Sequence, residues 1–298
     1  MKIIQQTIGF TKKINLPRLG GLTLYDLGAM YIKGIIEGAF TYRAGSIAFS
    51  FFMALFPFAL FILNLIPYIP IENFQEDFLS FVETSVPPST YGAVESILID
   101  IMNNSYGSLL STGVLMSIFL MSNGMNAIVS GFESSYHISN TRNFIRQYLV
   151  ALVLSLIISI MLLFSLAVFL TIEVYMHFSD YPQVANITRY VFIASMVFLI
   201  SCVLYKYGAK ETRKISFFSI GAVFTTLLVV LTSYGFGIYV TRFAQYNELY
   251  GSIGTLLVIM IYIWINCMIL LLGFELNASI YRLKQNNSYI SNNKNAEL

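Results

Sequence analysis

Four side chains able to carry charge or strong hydrogen bonds stand at the ends of long apolar runs. Arg43 opens the first run, Glu133 closes the second, and Glu275 and Asn277 close the last. An ionisable group at the edge of an apolar segment is normally paired and turned toward other protein. The four are therefore expected to meet in one ionic network. Two chemistries fit it: a helix-end clamp that fixes packing, or a gate for a proton or ion. Deeper in the runs lie Asn64, Asn123, Asn126 and Asn266. Amides at such depth either line a polar cavity or hold helices together, each contributing about 1 kcal/mol or less. Pro57, in RAGSIAFSFFMALFPF (43–58), is expected to kink its helix, because proline removes a helical hydrogen bond and frees the carbonyl of Met53. Gly235 and Gly237 could interrupt a helix in the same way, and broken helices often line transport sites.

The elements that must position these groups are set by composition. Of 298 residues 57% are hydrophobic and 11% charged, with a mean hydropathy of +0.72. A soluble domain averages about 25% charged residues. The chain is read as an all-α polytopic membrane protein with six transmembrane helices, at about 44–67, 107–131, 148–171, 187–206, 216–240 and 251–274. Each is near the ~20 residues needed to cross the hydrocarbon core. The runs are continuous, which argues against a transmembrane barrel. The basic MKIIQQTIGFTKKINLPRLG at 1–20 does not resemble a secretory signal. Cys202 and Cys267 fall inside apolar runs and are expected to pack as small hydrophobes.

Lysine and arginine set the orientation. Six precede the first span, two lie in the second connection, four in the fourth and three in the tail. Only Arg189 and Arg242 fall on the other side. The positive-inside rule then places both termini in the cytoplasm. The first outer loop (68–106) is acidic and has no Lys or Arg. Within it Phe74, Phe78, Phe81 and Val82, and then Val94, Ile97, Leu98 and Ile101, recur at helical spacing, with Pro87 and Pro88 between the two sets. That spacing predicts two short helices over the outer face, acting as a cover or as a gate. In the N-terminal segment (1–43), Leu24, Leu27, Tyr31 and Ile35 predict an amphipathic cytoplasmic helix at the membrane surface. The transmembrane domain spans 44–284, and the polar tail 285–298 is expected to be disordered.

This topology places His137 and His177 on opposite faces of the membrane, so they cannot share a metal. No HxHxDH or CxxC spacing and no phosphate-cradling glycine loop occurs. No metal, cofactor or enzymatic activity is expected. A net charge of +2, explained by topology, gives no case for nucleic-acid binding.

RAGSIAFSFFMALFPF (43–58), MSNGMNAIVSGFESSY (121–136) and above all YGSIGTLLVIMIYIWINCMILLLGFELNASI (250–280) resemble signatures of the YihY/virulence factor BrkB family. The resemblance runs from about residue 25 to 284. It implies a six-helix protein of the bacterial inner membrane, in a family once mislabelled ribonuclease BN. Some relatives are linked to serum resistance and to lipopolysaccharide or lipid handling. The favoured reading is a transporter or translocation factor for a lipid-like or amphipathic envelope component, with membrane lipids as partners. The alternative is a non-transporting scaffold or envelope-integrity factor, with an envelope protein or a second copy of the chain as partner.

Overall fold

The computed structural model describes residues 23–66, 69, 71, 73–85, 99, 109–175, 182–243 and 252–296. It is 88% helical, with no strands among the described residues. The helices are α1 (Leu24–Glu37), α2 (Phe40–Leu65), α3 (Phe74–Ser85), α4 (Leu109–Glu133), α5 (Phe144–Tyr175), α6 (Pro182–Tyr207), α7 (Ile220–Phe243) and α8 (Ser252–Ala296). A short 3₁₀ turn, Glu211–Lys214, lies between α6 and α7. Among the described residues, five stretches within α4 to α8 are long and apolar enough to cross a membrane. The chain is an all-α polytopic membrane protein. The first expected span coincides with α2, whose 26 residues stay helical through Pro57.

The chain divides into two compact units. One comprises 50–127 and 145–200. Its interior is a cluster of Leu63, Ile66, Phe74, Phe78, Phe169 and Leu170, with Phe81 and Val82 packed against it. All four apolar positions expected on the first outer-loop helix therefore face this core. Phe81 meets the Phe169 ring edge-on at 5.7 Å, and Phe169 stacks on Phe192 at 4.3 Å. The second expected loop helix, 94–101, lies almost wholly outside the described residues. In the same unit Ser122, Ser155 and Ser159 are buried, whereas Leu149, Val153, Ile157, Ile160 and Phe164 on α5 are exposed. Small hydroxyl residues inside and large apolar ones outside is the pattern of a helix whose solvent is lipid. Close packing and hydrogen bonds, rather than burial of grease, hold such helices together.

The other unit comprises residues up to 49, 128–144 and 201 onward. Phe132 of α4 stacks flat on Phe274 of α8 at 4.2 Å, with Tyr205 of α6 tilted against both. Tyr205 is fully buried, and its hydroxyl is bonded to Thr225 Oγ1 and to the Leu270 carbonyl. α7 crosses α8 where Gly221 meets Gly273: a Cβ on Gly221 would lie 2.2 Å from the Gly273 carbonyl oxygen. Only glycine at both positions permits that approach.

Two expectations about continuity are corrected. α7 is unbroken through Gly235 and Gly237. Both glycines are exposed, and a Cβ on either would meet open space. Lipid offers no replacement for a lost backbone bond, so the helix satisfies itself. The tail expected to be disordered continues α8 as helix to Ala296. A helix already formed adds residues without a new nucleation step.

Candidate functional site

α1 begins with a capping box: Thr23 Oγ1 accepts from the Asp26 amide, and Asp26 Oδ2 accepts from the Thr23 amide and hydroxyl. The chain leaves α1 through Gly38 and Ala39, the latter at φ 48°. A left-handed alanine is uncommon. It turns the backbone into α2 and brings Arg43, in the first turn, back against α1.

Arg43 is 5% exposed. Its Nη1 donates to Glu275 Oε1 at 2.7 Å and to the Gly38 carbonyl at 3.2 Å, and its Nε donates to the Gly131 carbonyl at 2.8 Å. Nη2 is buried and has no partner. Glu275 is 0% exposed, and its second oxygen accepts from Ser135 Oγ at 2.8 Å. Ser135 Oγ in turn accepts from the His137 amide. His137 Nε2 lies 3.2 Å from the Met30 carbonyl. A carbonyl only accepts, so Nε2 carries the proton. Burial holds the His137 pKa below the usual histidine value, against the opposing pull of Glu275. Tyr31 donates to the Leu272 carbonyl, and burial, then the Glu275 charge, push its phenol up to about 12. Gly34 makes the docking of α1 possible: a Cβ there would lie 2.5 Å from His137 Nε2 and 3.1 Å from Glu275 Oε2.

Glu133 does not join this pair. Its carboxylate accepts from both the backbone amide and Nη1 of Arg142, at 2.7 and 2.6 Å. Arg142 also donates to the Gly208 and Tyr207 carbonyls at the end of α6. These are unsatisfied acceptors of a helix C-terminus, where a cation is favoured. Asn277 stands apart again. Its Oδ1 accepts from the Gly221 amide and its Nδ2 donates to Ser219 Oγ, each at 2.9 Å. Ser219 Oγ also accepts from the Ala222 amide. Asn277 and Ser219 together cap the first turn of α7.

The expected single network is thus three stations, Arg43–Glu275, Arg142–Glu133 and Asn277–Ser219. Sequence reasoning missed Ser135, His137, Arg142 and Ser219. Arg142 was findable as a cation nine residues beyond Glu133; His137 had been weighed only as a metal ligand. Asn126 accepts from Gln147 at 2.9 Å, Asn266 donates to the Tyr262 carbonyl of its own helix, and Asn123 is exposed. The side chain of Asn64 lies outside the described residues. Among the described residues no three His, Cys, Asp or Glu are grouped to hold a metal. Cys202 and Cys267 are buried free thiols.

Comparison with known proteins follows the same stretch of chain. The model of the virulence factor BrkB family matches residues 32–297. A ribonuclease-like protein of Bacillus subtilis, YfkH, is 31% identical over 255 residues, covering 82% of this chain and 90% of that protein. UPF0761 membrane proteins of Coxiella burnetii (22% identical; 84% of this chain, 90% of theirs) and Haemophilus influenzae (21%; 87% and 96%) are also similar. No solved structure matches. With a family match that spans both the Arg43–Glu275 pair and the α7–α8 crossing, the chain belongs to the BrkB family of multi-pass bacterial membrane proteins.

Proposed function

We propose that this protein is a translocation factor for an amphipathic, lipid-like component of the cell envelope, seated in the cytoplasmic membrane with both termini inside. The observation that carries this reading is the Arg43–Glu275 pair, buried in a membrane chain and left with an unpartnered guanidinium nitrogen. Intramembrane charge is expensive and is typically kept where a polar group must bind or move. Ribonuclease chemistry is not part of the reading: Glu133 and Glu275 are each tied to an arginine, and His137 to a backbone carbonyl.

The scaffold alternative draws on one observation of its own. Asn126 and Asn266 each have a hydrogen-bond partner on the protein, Gln147 and the Tyr262 carbonyl. The two readings separate in proteoliposomes carrying a fluorescent phospholipid on both leaflets. A translocation factor exposes most of the inner-leaflet label to an external quencher within minutes. Protein-free and protein-bearing vesicles quenched to the same extent would leave the scaffold reading standing.

A further inference from the structure

The cluster around Glu275 holds more hydrogen-bond donors than acceptors. Arg43 has five N–H groups, of which the three on Nε and Nη1 are used, leaving both on Nη2. Ser279, one turn beyond Glu275 on the same face of α8, is 0% exposed, and its hydroxyl also lacks a partner. A buried orphan is costly, and more so when it is charged. A native chain seldom keeps such groups without a use. The charges of Arg43 and Glu275 cancel, and Lys33 is paired with Glu37. Both orphans are donors, so each calls for an acceptor, and a guanidinium N–H bonds an anionic one most strongly.

We propose that the Arg43–Glu275 cluster is a binding site for a phosphate-type oxyanion, taken up by Arg43 Nη2 and the Ser279 hydroxyl. Phosphate accepts several bonds at once, and a bond to it from a guanidinium nitrogen is charge-assisted. The two orphan atoms are closed to solvent, so the anion enters when α1 lifts from its seat at Gly34, turning about Gly38 and Ala39. The proposal rests on the translocation reading for its purpose, since it gives that cargo a phosphate headgroup, yet binding is measurable without transport.

The test uses the full chain in detergent micelles, titrated with dihexanoyl phosphatidic acid, dihexanoylglycerol and inorganic phosphate. Phosphatidic acid should bind at least tenfold more tightly than the phosphate-free glycerolipid. Ser279→Ala, which removes a hydroxyl that bonds to nothing, should keep or raise the melting temperature and weaken phosphatidic acid at least fivefold. Arg43→Lys should also weaken phosphatidic acid, at a lower melting temperature because the guanidinium's bonds to Gly131 and Gly38 are lost; if it fails to fold, Ser279→Ala decides alone. Inorganic phosphate binding as tightly as phosphatidic acid would support the site and identify a free anion as its ligand. Equal affinity for the two lipids, or no effect of Ser279→Ala, would overturn the proposal and leave a buried water only. Binding that persists in a protein that moves no lipid would keep the site and remove the translocation reading.

Discussion

Glu275 and Arg43 illustrate how unequal the two ways of losing an ion pair are. Removing one partner strands a buried charge, at about 3–5 kcal/mol, whereas replacing both with apolar groups is often neutral. Glu275→Gln should therefore lower the melting temperature sharply in detergent, and Arg43→Met with Glu275→Leu should recover most of it. A double variant as unstable as the single would show that the Gly131 and Gly38 carbonyls, and not the carboxylate, are what Arg43 serves. His137 adds a pH dependence. Its folded pKa is lowered, so the unfolded or undocked state binds more protons below about 6.5, the ordinary histidine value. The seat of α1 should be fully stable above that pH and weaken as pH falls from it toward the folded pKa. The groups facing the imidazole are the Met30 carbonyl, Glu275, Lys33 and Arg282. Protection of the α1 amides, corrected for the intrinsic pH dependence of exchange, should fall as pH drops below about 6.5 in the native protein, and His137→Asn should flatten that response.

Helix contacts turn on single atoms. At Gly273 a Cβ would collide with Thr225 Oγ1, the Tyr205 hydroxyl and the Gly221 carbonyl, the last of which cannot move aside. Gly273→Ala should destabilise by about 1–3 kcal/mol, as overpacking does. Gly235→Ala meets open space on a continuous helix and should be neutral or stabilising by up to ~1 kcal/mol. Equal losses from the two, measured by thermal unfolding in the same detergent, would mean that α7 bends at Gly235 after all. The positions of the helices were legible because continuous apolar runs have one solution in lipid. Their ends were less so: α5 runs 144–175 against an expected 148–171, since a helix need not stop where the hydrocarbon does. The meeting of Arg43 with Glu275 was legible in the sequence, whereas the partners of Glu133 and Asn277 were not. Spacing marks Asn277 as a polar group near a helix end, yet its target is a backbone amide, and every helix start offers those. Glu133 found its cation in a loop, where no periodicity points the way.

For the molecule as a whole, the exposed apolar side chains of α5 define its solvent. Ile160 is 63% exposed, near the middle of its span. Ile160→Lys should cost about 2.5–3.5 kcal/mol of insertion free energy, read as a fall in the membrane-integrated fraction. A lysine tolerated there without loss would place that face against protein or water instead of lipid.

Arg43 and Glu275 are separated by 232 residues. A ribosome adding roughly 5–20 residues per second needs roughly 12–46 s to cover that distance. For all that time α2 carries a cation whose counter-charge has not been made, its Gly131 partner arriving 88 residues on and its carboxylate last. A chain cut short of Glu275 would leave that arginine without its carboxylate, and should be degraded faster in cells than the full chain.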